Sequence, residues 1–294
     1  TDERACSLPD GGVVDPSVDA GVDGGFVDPC KPCMWCYACR TECDDPVRLA
    51  VGLSHTCVLT EQGSVYCWGG NYAGQCGVPG SPAYAMPMKV TLPARAAQVT
   101  SGNAFSCARL VDGRALCWGV GDEGQLGDGQ STHEDCGGSD CATTPVQVAL
   151  PGGTRAVEIG AGDRFACARL DDGTVACWGG NGTGELGIGA ATAGSSSPLR
   201  VVSPSDETGN LVGAISLAVG FQNACVIRAV GQTWCWGQND RDQLGDGAGN
   251  VARRPTVWRS DAAMAWIDVG WSQVCGGTTG GALLCFGDNR EGQL

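Results

Sequence analysis

The stretch Thr56-Cys57-Val58-Leu59-Thr60-Glu61-Gln62-Gly63-Ser64-Val65-Tyr66-Cys67-Trp68 decides the fold. Two short apolar runs flank three residues that end in glycine. That pattern is a hairpin with a three-residue loop, Gly63 taking the left-handed position. If Thr60 faces Ser64, Cys57 stands directly opposite Cys67. Directly opposed residues share a face with Cβ atoms about 4.5–5.5 Å apart. A disulfide wants about 3.5–4.5 Å, so the pair must be a non-hydrogen-bonded one. A cross-strand disulfide is therefore expected. The competing reading is two free thiols packed as small hydrophobes.

The same spacing recurs in Cys107/Cys117, Cys167/Cys177, Cys225/Cys235 and Cys275/Cys285. Self-similarity at such a period marks a repeat architecture. A glycine lies five residues before each first Cys (Gly52, Gly102, Gly162, Gly220, Gly270) and another six after it. Trp-Gly or Phe-Gly follows each second Cys: Trp68-Gly69, Trp118-Gly119, Trp178-Gly179, Trp236-Gly237, Phe286-Gly287. A Gly-Gln-Leu-Gly-like turn comes next, as in Gly124-Gln125-Leu126-Gly127. Cysteine at both positions of all five copies argues against free thiols, which would give way to Val, Leu or Ala. Five cross-strand disulfides are expected, each stabilising by roughly 2–3 kcal/mol. The Trp should face the other side of its sheet and pack on the neighbouring sheet. A ring of exposed Trp for carbohydrate stacking is the functional alternative.

This frame resembles the repeat of the regulator of chromosome condensation family over residues 47–294. The resemblance implies an all-β fold, a β-propeller of four-stranded blades around a central channel. The repeats fall at about 47–97, 98–157, 158–215, 216–266 and 267–294, the last incomplete. The family's ring normally has seven blades, so the resemblance implies a partial or fragmentary ring whose last blade lacks its outer strand. An open arc would expose strand edges. Cysteine in place of apolar residues at both hairpin positions is similar to secreted bacterial members. Eukaryotic members act as exchange factors on a small GTPase and contact chromatin, but no motif for that carries over residue by residue.

Composition sets further bounds. Acidic side chains number 32 and basic ones 18, a net charge of −14. Such a chain repels phosphate backbones, which disfavours nucleic acid, and anionic membrane surfaces, for the same reason. No run of 18 apolar residues exists in the sequence, so no membrane insertion is expected. The 19 cysteines suit an oxidising compartment or a metal protein. No leader segment opens the sequence; it was removed, or the chain begins after it.

Residues 1–29 read as a disordered acidic Asp/Gly linker. Such a spacer suits an outer-surface protein with an upstream lipid anchor; Cys6 lacks the apolar run of a lipidated residue. Residues 30–46 are Cys-rich, with Cys30, Cys33, Cys36, Cys39 and Cys43. The last four have the spacing of an iron–sulfur run. No Pro follows Cys43 and the second half-motif is missing, so a disulfide knot is preferred over zinc or iron–sulfur. Cys76 replaces Leu in the first Gly-Gln-Leu-Gly. Cys6, the five cysteines of the knot and Cys76 are the candidates for tail disulfides, and their odd number leaves one over. Cys76 could tether the tail to the first blade.

The segments between repeats vary most, and binding sits on such loops. In His133-Glu134-Asp135-Cys136-Gly137-Gly138-Ser139-Asp140-Cys141, a Cys136–Cys141 disulfide is expected; a metal site of His133, Cys136 and Cys141 is the alternative. His55 aligns with Phe105, Phe165, Asn223 and Gln273 and reads as structural. The turns with Asp240, Asp242, Asp246 and Asp288 read as solvated rather than as calcium ligands. No nucleophile elbow, phosphate loop or dinucleotide fingerprint is present. No catalytic residue, metal or cofactor is expected. These readings converge on an extracytoplasmic, non-catalytic binding propeller that presents variable loops to a protein or glycan. The rivals are a self-associating structural component of a cell surface or fibre, and a propeller hydrolase or lyase. Bacterial origin follows from the resemblance and from 16 Arg against 2 Lys, a GC-rich bias.

Overall fold

The computed structural model describes residues 44–294, apart from 205–208, 230 and 259–261. The linker expected at 1–29 and the cysteines Cys6, Cys30, Cys33, Cys36, Cys39 and Cys43 lie outside the described residues. The chain divides after Pro46, and Val47–Leu294 is one compact unit.

Each repeat folds as an antiparallel meander. The first sheet runs Pro46–Val51, His55–Thr60, Val65–Gly70 and Ala83–Lys89, paired in that order. The second begins with Ala96–Ser101, Phe105–Leu110 and Ala115–Val120. Its outer strand, Asp140–Gln147, also pairs with the short Glu134–Asp135. The third sheet is Ala156–Ala161, Phe165–Leu170, Val175–Gly180 and Gly194–Arg200. The fourth is Ala214–Val219, Asn223–Arg228, Thr233–Gly237 and Ala252–Val257. The fifth has three strands, Met264–Val269, Gln273–Thr278 and Leu283–Gly287.

The hairpin register follows from its loop. The Thr60 amide donates to the Ser64 carbonyl at 3.0 Å, and Gly63 has φ 80°. That fixes Leu59 opposite Val65 and Cys57 opposite Cys67. The other four hairpins repeat it, with Cys107 opposite Cys117, Cys167 opposite Cys177, Cys225 opposite Cys235 and Cys275 opposite Cys285. Where an outer strand pairs, its register shifts between the second Cys and the Gly after Trp. This is a β-bulge, and Gly69 holds it at φ 100°, a conformation most side chains disfavour.

Successive sheets pack face to face. Leu59 and Val65 of the first bury against Val99, Leu110 and Trp118 of the second. Phe105 and Leu126 of the second meet Ile159, Leu170 and Trp178 of the third. Trp118, Trp178 and Trp236 are fully buried. Each indole N–H donates to a main-chain carbonyl in the turn of the preceding sheet: Gln75 at 3.0 Å, Gln125 at 3.0 Å and Glu185 at 2.8 Å. Trp therefore fastens one sheet to the previous turn. In the fifth sheet Phe286 takes that place, and Trp258 packs against it, the rings inclined by 57° with centroids 4.9 Å apart. The turns hold themselves. The Asn71 side-chain oxygen accepts from the Cys76 amide, Asn181 from Leu186, and Asn239 from Leu244.

Candidate functional site

The cysteines form a scaffold. Disulfides join Cys57–Cys67, Cys107–Cys117, Cys167–Cys177, Cys225–Cys235 and Cys275–Cys285, each with Cα atoms about 4 Å apart. Cys136–Cys141 closes the insertion of the second repeat. The tail cysteines that Cys76 could tether lie outside the described residues. Among the described residues Cys76 has no disulfide partner; it is a fully buried thiol in the core slot that Leu126, Leu186 and Leu244 fill elsewhere. Its sulfur lies 3.4 Å from the Gly70 carbonyl, and burial pushes the thiol up to about 11. A buried, protonated thiol is inert toward exchange.

The inner strands end at a ring of glycines. A Cβ on Gly52, Gly102, Gly162 or Gly220 would overlap the carbonyl oxygen of the equivalent glycine in the next sheet. The sheets can approach this closely because that atom is missing. The following residue completes the joint. The Leu53 amide donates to the Asn103 carbonyl at 3.0 Å, Asn103 to Asp163 at 3.1 Å, and Asp163 to Phe221 at 2.7 Å. Phe221 donates to Gly270 at 3.3 Å.

Beside this joint lies a cleft of about 340 Å³ to which all five sheets contribute. Its walls include Val51, Leu53, Asn103, Asp163, Phe221 and Trp271. Four of these occupy one repeat position with Trp271, the residue after the frame glycine, filled by Leu53, Asn103, Asp163, Phe221 and Trp271 in turn. The aromatic choice at that position is the sequence signal that went unread. Phe221 and Trp271 stack at 4.8 Å. Beyond Asp163 lie Asp122, Glu123 and Arg164.

The insertion carries a second polar cluster. His133 Nδ1 lies 2.8 Å from Asp140 and Nε2 lies 2.9 Å from Asp128. Burial lowers the pKa of the ring, but the hydrogen bonds to Asp140 and Asp128 outweigh it and hold it above its ordinary value. Cys136 and Cys141 are bonded to each other, so the metal set with His133 has no thiolate. Among the described residues, no three His, Cys, Asp or Glu side chains are placed to hold a metal ion. His55 is buried, lowered to about 4 by that burial, and lies 2.7 Å from the Ser106 hydroxyl. No helix among the described residues is long and apolar enough to cross a membrane.

The chain was compared with known proteins. A model of the regulator of chromosome condensation (RCC1) repeat matches residues 47–75, 96–125 and 156–185; a second matches 62–109 and 112–169. Human E3 ubiquitin-protein ligase HERC2 is 32% identical over 235 residues, covering 74% of this chain and 4% of the relative. The ultraviolet-B receptor UVR8 of Arabidopsis thaliana is 27% identical over 253 residues, covering 84% of this chain and 54% of the receptor. The chain thus spans little of the ligase and about half of the receptor. Among solved structures, human WBSCR16 superposes with a TM-score of 0.69 at 20% identity, covering 82% of this chain and 59% of that one. Saccharomyces cerevisiae Prp20p gives 0.66 at 22%, covering 79% and 56%. Both likenesses are of fold.

Proposed function

Because the chain belongs to the regulator of chromosome condensation repeat family, we propose that it is a non-catalytic, extracytoplasmic binding propeller that holds a partner on the ends of its blades. One observation carries this reading. The frame residues are engaged in disulfides, Trp latches and glycine contacts, while residues 78–82, 128–139, 188–193 and 246–251, which follow the frame turn and differ in length and type between copies, emerge at one end of the sheets. A protein is the preferred partner and a glycan the competitor. Prp20p is a fold neighbour whose structure was described with its binding to Gsp1p and histones. Six disulfides among the described residues support an oxidising compartment. The excess of Arg over Lys supports a bacterial source, and the Asp/Gly stretch supports a spacer from a lipid anchor.

Two measurements test this. Maleimide labelling of the protein in its native cells, without reductant, should leave the ten paired hairpin cysteines unmodified; labelling there removes the extracytoplasmic reading. Cross-linking mass spectrometry should place partner contacts on the variable segments. A second reading, self-assembly into a surface structure, is favoured by Leu49. It is 66% exposed at a register position where Val99, Ile159, Leu217 and Ile267 are buried. Concentration-dependent sedimentation that vanishes in Leu49→Ser would support it.

A further inference from the structure

We propose that the cleft at the glycine ring docks a cationic peptide segment bearing apolar side chains. This rests on the binding-propeller reading and names the partner's chemistry and the end it occupies.

The cleft has an apolar side and an acidic neighbour. On one side Val51, Leu53 and Trp271 are 70%, 75% and 67% exposed, and Phe221 lies against the Trp271 ring. Scattered exposed apolar residues are ordinary on a surface; three around one cleft beside an aromatic stack make a contiguous patch. At Asp163 the cleft meets a neighbouring acidic pocket, where Asp122 and Glu123 stand beside the guanidinium of Arg164. Arg164 reaches Glu123 at 3.3 Å and Asp163 at 3.9 Å, and is itself 61% exposed. Asp163 also accepts from the Asn103 amide group at 2.7 Å, and Asp122 from the Asp140 backbone amide at 2.7 Å. These bonds fix the carboxylates in place without neutralising them.

The skew extends over the whole end. The described segments at the cleft end, together with the short Glu134–Asp135 strand and residues 288–294, carry twelve acidic side chains and three arginines, Arg164, Arg241 and Arg290. A field of one sign steers an oppositely charged partner and rejects the rest. Charge thus selects a Lys- or Arg-rich segment, and the Leu53–Phe221–Trp271 side takes its aliphatic or aromatic side chains. An oligosaccharide would use Trp271 but gain nothing from the carboxylates. Nucleic acid would be repelled.

The test uses the full chain and a fluorescein-labelled peptide alternating Arg and Leu, with the Glu/Leu peptide and a chitin oligosaccharide as comparisons. The Arg/Leu peptide should bind and the Glu/Leu peptide should not. Trp271→Ala should weaken binding about tenfold. Leu53→Ser gives an independent reading should Trp271→Ala lose its fold, as judged by its unfolding midpoint. The double change Asp122→Asn with Glu123→Gln should weaken binding about fivefold at low ionic strength and flatten its salt dependence. Glu61→Gln at the opposite end should change nothing. Equal binding of both peptides, no peptide binding, or Trp271-dependent binding of the oligosaccharide overturns the proposal. If no peptide binds while cross-linked protein partners map elsewhere, this inference falls and the binding reading stands. If no protein partner is found on any surface, both fall.

Discussion

Glu185 stands where Gln75, Gln125 and Gln243 stand in the other turns. In those, the Gln oxygen accepts the amide two residues earlier, from Ala73, Glu123 and Arg241. Glu185 accepts from both the amide and the hydroxyl of Thr183, but burial raises its pKa. The folded state therefore holds its proton more tightly than the unfolded chain does. The carboxylate costs stability as pH rises through the ordinary carboxylate range toward the raised value. Glu185→Gln should melt about 2 °C higher at neutral pH, and the gap should close by about pH 4. Thermal scans at the two pH values check it. The glycine ring makes the opposite demand. A methyl group on Gly102 would strike the Phe105 ring and the Gly162 carbonyl. Gly102→Ala should cost about 2–3 kcal/mol in denaturant unfolding. Gly102 was legible in the sequence as a frame glycine, although the contacts that demand it were not, and Glu185 stood out only as an acid among glutamines. The reason for each lies in contacts between sheets, which residue order does not display.

At the scale of the element, the hairpin and its latch are separable. Replacing Cys167 and Cys177 together by Ala should cost about 2–3 kcal/mol. Trp178→Phe keeps an aromatic ring but loses the indole N–H bonded to the Gln125 carbonyl and leaves a small void, and should cost about 2 kcal/mol. The same change at the half-exposed Trp68 should cost less, so comparing the two by chemical denaturation isolates the inter-sheet term. The insertion 128–141 behaves differently. The raised pKa of His133 means that its stabilising contribution is complete below the ordinary histidine value and disappears as pH climbs through the raised one. Amide exchange at Gly137 and Gly138 should accelerate over that climb, and His133→Gln should remove the dependence. Register, loop type and Cys pairing were legible here because a period of two and a three-residue loop leave little freedom. The Asp128–His133–Asp140 clamp was not. Its members meet only after Cys136–Cys141 and the pairing of Glu134 with Cys141 fold the insertion back on itself.

For the molecule as a whole, five hairpin staples at that scale sum to roughly 10–15 kcal/mol. A domain's net stability is about 5–15 kcal/mol. Full reduction should therefore unfold the sheets at room temperature, seen as loss of the β signal in circular dichroism. Survival of that signal would show that the Trp latches suffice. The repeat could be read along the chain because every copy carries its frame at fixed offsets. The cleft could not, since residues 53, 221 and 271 become neighbours only when successive sheets turn about a shared axis. Cys76 was ambiguous for a related reason: its residue type allowed pairing, and only its slot in the turn places it in the core.

The seam between blades is made of main chain. Leu53, Asn103, Asp163 and Phe221 link through amides and carbonyls whatever side chain each bears, and only Asn103 and Asp163 add a side-chain bond. A duplicated module would thus arrive with its own fastening, needing no matched substitution in its neighbours. Such an array can lengthen by copying first and diversify afterwards, its outward-facing chemistry drifting freely while the joinery stays generic.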